Sequence, residues 1–168
     1  HRGQQSYVLD ASNLILGDDI VSDGGFDTDV AASTTGTYWT TQAGWTISNG
    51  VATHDGDGTL LFPAVGHKHL VSGVTYKVTF DWVQTSTDSN DGLQFRDYGS
   101  TYTTRYEETG HSGGGSGSSE FYFTSDTSNA SIYIRGVNGW TGTVDNVVIK
   151  SVNDKNHATT VFYGDELI

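Results

Sequence analysis

Residues 74–85, VTYKVTFDWVQT, decide the fold class, because large apolar side chains recur there at every second position. A period of two is the spacing of a β-strand that buries one of its faces. The face expected in the core consists of Tyr76, Val78, Phe80, Trp82 and Gln84, and the opposite face consists of Lys77, Thr79, Asp81 and Val83. We therefore predict one long, half-buried strand here.

Similar short runs extend outward from this strand in both directions, and helical periodicity is almost absent. The other predicted strands are 12–16, 44–48, 50–54, 59–63, 68–71, 92–98, 100–108, 118–125, 130–136 and 141–152. Clusters of Gly, Ser, Asn and Asp between them mark turns. The sequence predicts an all-β fold, an antiparallel β-sandwich (jelly roll) of about ten strands with no significant helix. We expect the Gly-rich segment 110–119 to be a loop or mobile flap, and DGDG at 55–58 to be a hairpin turn.

The composition excludes several classes of protein. A formal net charge of −12, with only 8 Lys and Arg residues, would repel phosphate backbones, so we predict no nucleic-acid partner. No apolar run approaches the roughly 20 residues of a membrane-spanning helix, so we expect no membrane insertion. The absence of cysteine excludes disulfides and thiol chemistry. High acidity suits an extracellular life, and we predict an extracellular or virion-surface location.

The two ends of the chain carry similar sequences. We divide the chain into an N-terminal arm or linker (1–13), a sandwich domain (14–152) and a C-terminal linker or strand (153–168). LILGDDIV at 14–21 is echoed by VFYGDELI at 161–168. Such an echo is typical of a chain whose last residues begin the next copy of a module, and it also fits two similar edge strands that arose by chance. Since the chain begins at His1 and contains no Met, we expect a processed form or a fragment.

Four segments in order carry a resemblance to a known family: DGGFDTD (23–29), GWTISNGVA (44–52), GVTYKVTFDW (73–82) and GWTGTVDNVVIKSV (139–152). Together they resemble the carbohydrate-binding modules of family 4/9, as found in bacteriophage tail and virion proteins and in secreted multi-module proteins. The first segment is similar to the family's opening N-G-x-F-E/D motif. The last is similar to its closing strand, and the resemblance spans roughly residues 14–152.

The resemblance implies a jelly-roll sandwich without catalytic machinery, glycan binding, and a structural calcium ion. In the family an acid after the opening Phe and the Asp of the closing strand bind this ion; here they match Asp27 and Asp145, with Asp29 as a third ligand. Ca²⁺ takes roughly 6–8 oxygen ligands, which carboxylates supply well. The alternative is that Asp27 is a surface turn acid and that Asp145 accepts hydrogen bonds at a turn or bulge.

Glycan binding requires aromatic rings that stack on sugar faces, flanked by planar polar groups. Alternation in the later strands predicts an outward polar-aromatic platform on one open face, made of Gln94, Arg96, Tyr122, Tyr133 and Arg135. Trp39 and Trp140 lie beside turns and are expected to be exposed, whereas Trp45 and Trp82 are expected in the core. The carbohydrate-binding candidates are therefore Arg96, Tyr122, Tyr133, Arg135, Trp39 and Trp140. The alternative is that these are ordinary solvated residues or contacts with a neighbouring module.

We predict that the chain is not an enzyme. With 20 acidic residues some pair meets the glycosidase spacing by chance, and His67 and His69 have no third metal ligand signalled nearby. The predicted function is a non-catalytic structural or adhesion module of the glycan-binding type in a repeat array, fibre or filament. The alternative is a stand-alone polysaccharide-binding module appended to a secreted glycoside hydrolase. The predicted partners are a polysaccharide or glycan, and copies of itself or neighbouring modules joined through the terminal segments.

Overall fold

The strands follow the alternating runs of the sequence. The computed structural model describes residues 15–56, 60–64, 66, 70–98, 101–109, 111–126 and 130–153. Within these ranges the chain forms eleven strands and no helix, so no helix there could span a membrane. The strands are β1 (Ile15–Asp19), β2 (Trp39–Thr41), β3 (Trp45–Ser48), β4 (Val51–Asp55), β5 (Leu60–Pro63), β6 (Thr75–Gln84), β7 (Gly92–Tyr98), β8 (Tyr102–Thr109), β9 (Gly115–Thr124), β10 (Ile132–Val137) and β11 (Thr141–Asn153).

Two antiparallel sheets form the sandwich. The six-stranded sheet has the order β3-β4-β11-β6-β9, and β1 pairs with β11 beside this path. The five-stranded sheet has the order β2-β5-β10-β7-β8. Neighbouring strands in these sheets are often distant in the sequence, which is typical of jelly-roll connections. The prediction of an all-β antiparallel sandwich is therefore confirmed.

Strand β6 lies in the middle of the six-stranded sheet, between β11 and β9. Its side chains alternate between buried and partly exposed as the sequence predicts, and Val78 and Phe80 are almost fully buried. Phe80 meets Phe95 of β7 across the sandwich with ring centroids 4.2 Å apart. Burying one such side chain stabilises the fold by about 1.5–3 kcal/mol. The core of both sheets is continuous through contacts of this kind.

The Gly-rich segment gives one correction to the sequence analysis. Residues 115–119, expected in a loop or flap, belong to β9 and pair with β6. Gly117 lies opposite Trp82, and a β-carbon at Gly117 would be 3.2 Å from the indole ring. The indole Nε1 also donates a hydrogen bond to Ser119 Oγ at 3.0 Å. The glycines are present because the strand has to lie directly against a tryptophan.

Several predicted features lie partly or wholly outside the described residues. These are the arm at 1–13, the tail at 154–168 with its echo of residues 14–21, the pair His67 and His69, and positions 57–58 of the expected hairpin turn. The predicted strand at 68–71 is represented there by an isolated bridge between Leu70 and Ala130. Strand β2, around Trp39, was not predicted.

Candidate functional site

The outer face of the five-stranded sheet carries a cluster of aromatic rings. Inward side chains from three neighbouring strands, Leu61, Phe95 and Ile134, are fully buried and lie in register with one another. Because side chains alternate across a strand, their neighbours along each strand face outward. Three outward residues of these strands are aromatic, Phe62 of β5, Tyr98 of β7 and Tyr133 of β10, and a fourth, Tyr102 of the next strand β8, pairs with Tyr98. We call these four residues the aromatic platform.

The rings of the aromatic platform contact one another across four strands. Tyr133 is central, with its ring centroid 5.0 Å from that of Phe62, 5.2 Å from Tyr102 and 6.1 Å from Tyr98. Tyr98 and Tyr102 are cross-strand partners at 4.6 Å. The Tyr133 side chain is only 7 % exposed, whereas Tyr98 and Tyr102 are 42 % and 39 % exposed. Tyr133 therefore lies buried beneath the other rings, and Tyr98 and Tyr102 expose ring surface that a ligand can contact.

Polar groups flank these rings on the same face. Arg96 lies opposite Tyr133, and Arg135 lies opposite Gln94, so both guanidinium groups and one amide face outward. The guanidinium of Arg96 sits over the ring of Tyr102, 4.9 Å from its centroid. Its Nε is buried and has no hydrogen-bond partner among the described residues. This surface combines exposed aromatic rings with planar hydrogen-bonding groups, which are the types of group that glycan binding requires.

The pKa values of two side chains on this face are shifted because the residues around them are closely packed. Burial, followed by the positive charge of Arg135, lowers the pKa of Arg96 below its ordinary value. An arginine remains charged despite such a shift, because its ordinary pKa is so high. Burial, followed by the neighbouring Tyr102 and Tyr98, raises the pKa of Tyr133. The hydroxyl of Tyr133 thus stays protonated at neutral pH and can donate a hydrogen bond.

The structure brings together only part of the predicted site. Arg96, Tyr133 and Arg135 lie on one face as expected, with Gln94 beside them. Tyr122 does not join them, because β9 pairs with β6 in the other sheet. There its ring is 5.9 Å from Lys77 Nζ, and its hydroxyl donates to Glu120 at 3.0 Å. The prediction of a single platform that includes Tyr122 is therefore wrong.

The prediction that Trp39 and Trp140 are exposed is also wrong, because each is only 1 % exposed. Trp39 packs on Phe26 at 4.9 Å, and its Nε1 donates to the carbonyl oxygen of Asp23 at 2.7 Å. Trp140 packs beside Trp45 and His54, with ring centroids 6.3 and 5.8 Å away. Both indoles leave a turn and fill the inside of the sandwich, where no sugar can reach them.

Sequence reasoning missed Phe62, Tyr98 and Tyr102. Tyr98 could have been found, since alternation in GLQFRDY places it on the same face as Gln94 and Arg96. Phe62 lies in the run LLF, where every residue is apolar and alternation gives no sign of the outward face. The placement of Tyr102 depends on a strand irregularity that the sequence does not reveal.

The acidic residues predicted to bind calcium are distributed over a turn and a strand. The opening turn does approach the closing strand, since the Val147 N–H donates to the Gly24 carbonyl at 2.9 Å. Within the described part of the chain, however, no three His, Asp or Glu side chains are grouped so that they could hold a metal ion. Asp27, Asp29 and Asp145 do not form a ligand cluster there. Calcium binding by these residues stays a prediction.

A second polar cluster lies where β8 and β9 border one another. The Glu108 carboxylate accepts hydrogen bonds from the Tyr106 hydroxyl, from Ser119 Oγ at 2.5 Å and from His111 Nε2 at 2.9 Å. Burial alone would raise the pKa of Glu108, but these three hydrogen bonds outweigh it and lower the pKa. Ser119 and His111 both bond to the carboxylate, whereas a catalytic triad has its serine bonded to histidine. Through the bond between Glu108 and Ser119, the cluster links β8 to β9 at the edge of the sandwich.

Comparison with known proteins supports the fold. No family model matches the chain, and no curated protein matches it. A solved structure described as "CBM4 structure and function" matches with a TM-score of 0.54 and 16 % identity, over 78 % of this chain and 99 % of that one. The N-terminal cellulose-binding domain of Cellulomonas fimi β-1,4-glucanase C matches with a TM-score of 0.45 and 18 % identity, over 80 % of this chain and 97 % of that one. The first likeness shows that this chain has a CBM4-like jelly-roll fold.

Proposed function

We propose that this chain is a non-catalytic polysaccharide-binding module whose binding site is the outer face of the five-stranded sheet. The observation that carries the proposal is the convergence of four aromatic rings with Gln94, Arg96 and Arg135 on that face. Solvent-exposed tyrosine rings present flat apolar surface that matches the axial C–H faces of pyranose rings. Guanidinium and amide groups beside them hydrogen-bond to hydroxyl groups at the sugar edges.

The shape of the site suits a polymer that lies along a surface. The platform spans four adjacent strands, β5, β10, β7 and β8, and neighbouring strands are about 4.8 Å apart. The rings therefore extend over roughly 14 Å across the sheet. A sugar chain of two to three residues covers that distance. The likeness to the CBM4 fold supports glycan binding as the function of this module.

The proposal is tested by removing one exposed ring at a time. We expect Tyr98→Ala and Tyr102→Ala each to weaken polysaccharide binding about 2- to 10-fold, since a stacking contact contributes about 0.5–1.5 kcal/mol. Tyr122→Ala is the matched control, because Tyr122 is a similarly exposed tyrosine (45 %) on the opposite sheet. Affinity electrophoresis against a panel of plant, algal and bacterial polysaccharides measures the effect. Equal losses in all three variants, or no retardation by any polymer, would refute the proposal.

The same proposal includes the assembly of several copies of the module into an array, fibre or filament. An array, fibre or filament requires contacts between copies, and β1 is the described element that best suits this role. It pairs only with β11 among the described strands, and its Ile15 and Leu16 side chains are 56 % and 37 % exposed. Light scattering of the full chain with and without Leu16→Glu tests this. A monomer at every concentration favours the alternative, a single module appended to a secreted glycoside hydrolase.

A further inference from the structure

The cationic side chains of this protein are distributed unequally. The chain has a formal net charge of −12 and only 8 Lys and Arg residues. The described residues contain five of these: Lys77, Arg96, Arg105, Arg135 and Lys150. Lys77 and Arg105 form ion pairs with carboxylates at 2.8 and 2.7 Å. Arg96 and Arg135 lie together on the face that carries the aromatic platform.

The geometry places these two charges close together. Arg96 pairs with Tyr133, and Arg135 pairs with Gln94, so the two arginines are diagonal neighbours on adjacent strands. Diagonal neighbours of this kind are about 7–8 Å apart at the backbone. Arg96 forms no ion pair with any described carboxylate, and its buried Nε has no hydrogen-bond partner there. Two like charges held this close repel one another, and a bound anion would remove that repulsion.

From this arrangement we propose that the site prefers anionic polysaccharides, in which a carboxylate or sulfate group is attached to the pyranose ring. The inference rests on the proposed function and specifies its ligand class. A guanidinium fork matches a carboxylate or sulfate group with two parallel hydrogen bonds. The ring that bears the anion can stack on Tyr98 or Tyr102 at the same time. One charged sugar residue thus satisfies both parts of the site.

The acidic surroundings limit where the anion binds. Glu107 faces the same side as Gln94, its cross-strand partner, and is exposed. It would repel an anion at the β8 end of the face. The anionic group is therefore expected between Arg96 and Arg135, over strands β7 and β10. At about 0.15 M salt the Debye length is about 8 Å, so this local pair outweighs the more distant negative charges of the protein.

The inference is tested with two matched pairs of polymers: polygalacturonate against its fully methyl-esterified form, and a sulfated galactan against its desulfated form. At about 0.15 M salt we expect the native chain to bind at least one anionic form about 10- to 100-fold more tightly than its neutral partner, as expected for hydrogen bonds between charged groups. Preference in the first pair identifies a carboxylate ligand, and preference in the second identifies a sulfate ligand. Affinity electrophoresis and calorimetry provide the dissociation constants.

Two charge-matched variants make the test specific. Arg96→Gln and Arg135→Gln should each reduce the preference to less than about 3-fold, whereas Lys150→Gln, which changes the net charge equally on the other sheet, should keep it. Thermal unfolding of each variant verifies that the sandwich is intact. Equal affinity for charged and neutral forms would overturn the inference and leave the proposed function standing. An equal loss in the Lys150 variant would also overturn it. If no polymer of either kind binds, the proposed function itself fails.

Discussion

Substituting Gly24 with alanine should destabilise the sandwich, whereas the same substitution at the adjacent Gly25 should not. Gly24 belongs to the opening turn, and its carbonyl oxygen accepts the hydrogen bond from the Val147 N–H of β11 at 2.9 Å. A β-carbon on Gly24 would lie 1.9 Å from the carbonyl oxygen of Val147. A β-carbon on Gly25 would meet only a carboxylate oxygen of Asp27, at 3.9 Å.

The expected magnitude follows from this contact. A backbone carbonyl cannot rotate away as a side chain can, so the opening turn must move by about 1 Å. That movement breaks the hydrogen bond to Val147, at a cost of about 0.5–1.5 kcal/mol. Forced shifts in a packed region cost about 1–3 kcal/mol more. The sum is about 1.5–4.5 kcal/mol, which lowers the melting temperature of a domain of this size by about 3–18 °C.

Urea and thermal unfolding, followed by tryptophan fluorescence, measure the difference between the two variants. Trp39 reports directly on the opening turn, because its indole Nε1 is bonded to the carbonyl oxygen of Asp23. Gly25→Ala is expected to change the stability by less than about 1 kcal/mol, in either direction. Equal midpoints for the Gly24 and Gly25 variants would refute the proposed contact between the turn and β11.

Three further predictions concern other parts of the molecule. The folded state lowers the pKa of Glu108, so its contribution to the free energy of unfolding is complete above about pH 4.3 and is lost as the pH falls through the folded pKa. Glu108→Gln should therefore make the stability of the protein depend less on pH in this window. An unchanged dependence of stability on pH below about pH 4.3 would contradict this prediction. Trp140→Phe should lower the free energy of unfolding by about 1–3 kcal/mol without affecting polysaccharide binding, since the indole is buried; a selective loss of binding would contradict its burial. If Asp27 and Asp145 bind a stabilising calcium ion, adding a chelator should lower the melting temperature of the protein. An unchanged melting curve would rule out a stabilising calcium site.

The sequence was sufficient for the fold class but only partly sufficient for the site. The alternation in residues 74–85 identifies the buried face of β6, because burial on one face is a property of the strand itself. The partner of a strand is a property of the whole topology. Alternation could place Tyr122 and Tyr133 on outward faces, and it could not determine that their strands belong to different sheets.

The tryptophans illustrate a second limit. Trp39 and Trp140 stand next to turn residues, and the flanking polar residues suggested exposure. A large ring at the end of a strand can nevertheless bend inward and close the core, and the burial of apolar area favours this. Trp140 does so against Trp45 and His54, and His54 Nδ1 lies 2.6 Å from the Trp140 carbonyl oxygen. The apolar environment around each ring depends on residues far apart in the sequence.

A strand irregularity explains why Tyr102 belongs to the platform. The register between β7 and β8 shifts after Phe95, which pairs with Tyr106, so that Arg96 pairs with Thr104 and Arg105 is the extra residue. In a regular ladder Arg105 would face outward opposite Arg96, and Tyr102 would point into the sandwich. The shift instead turns Arg105 inward to the buried carboxylate of Asp97 at 2.7 Å. It thereby brings Tyr102 beside Tyr98 on the outer face. Such bulges re-aim side chains next to functional sites, and here one bulge places an exposed tyrosine ring where a regular ladder would place a third arginine.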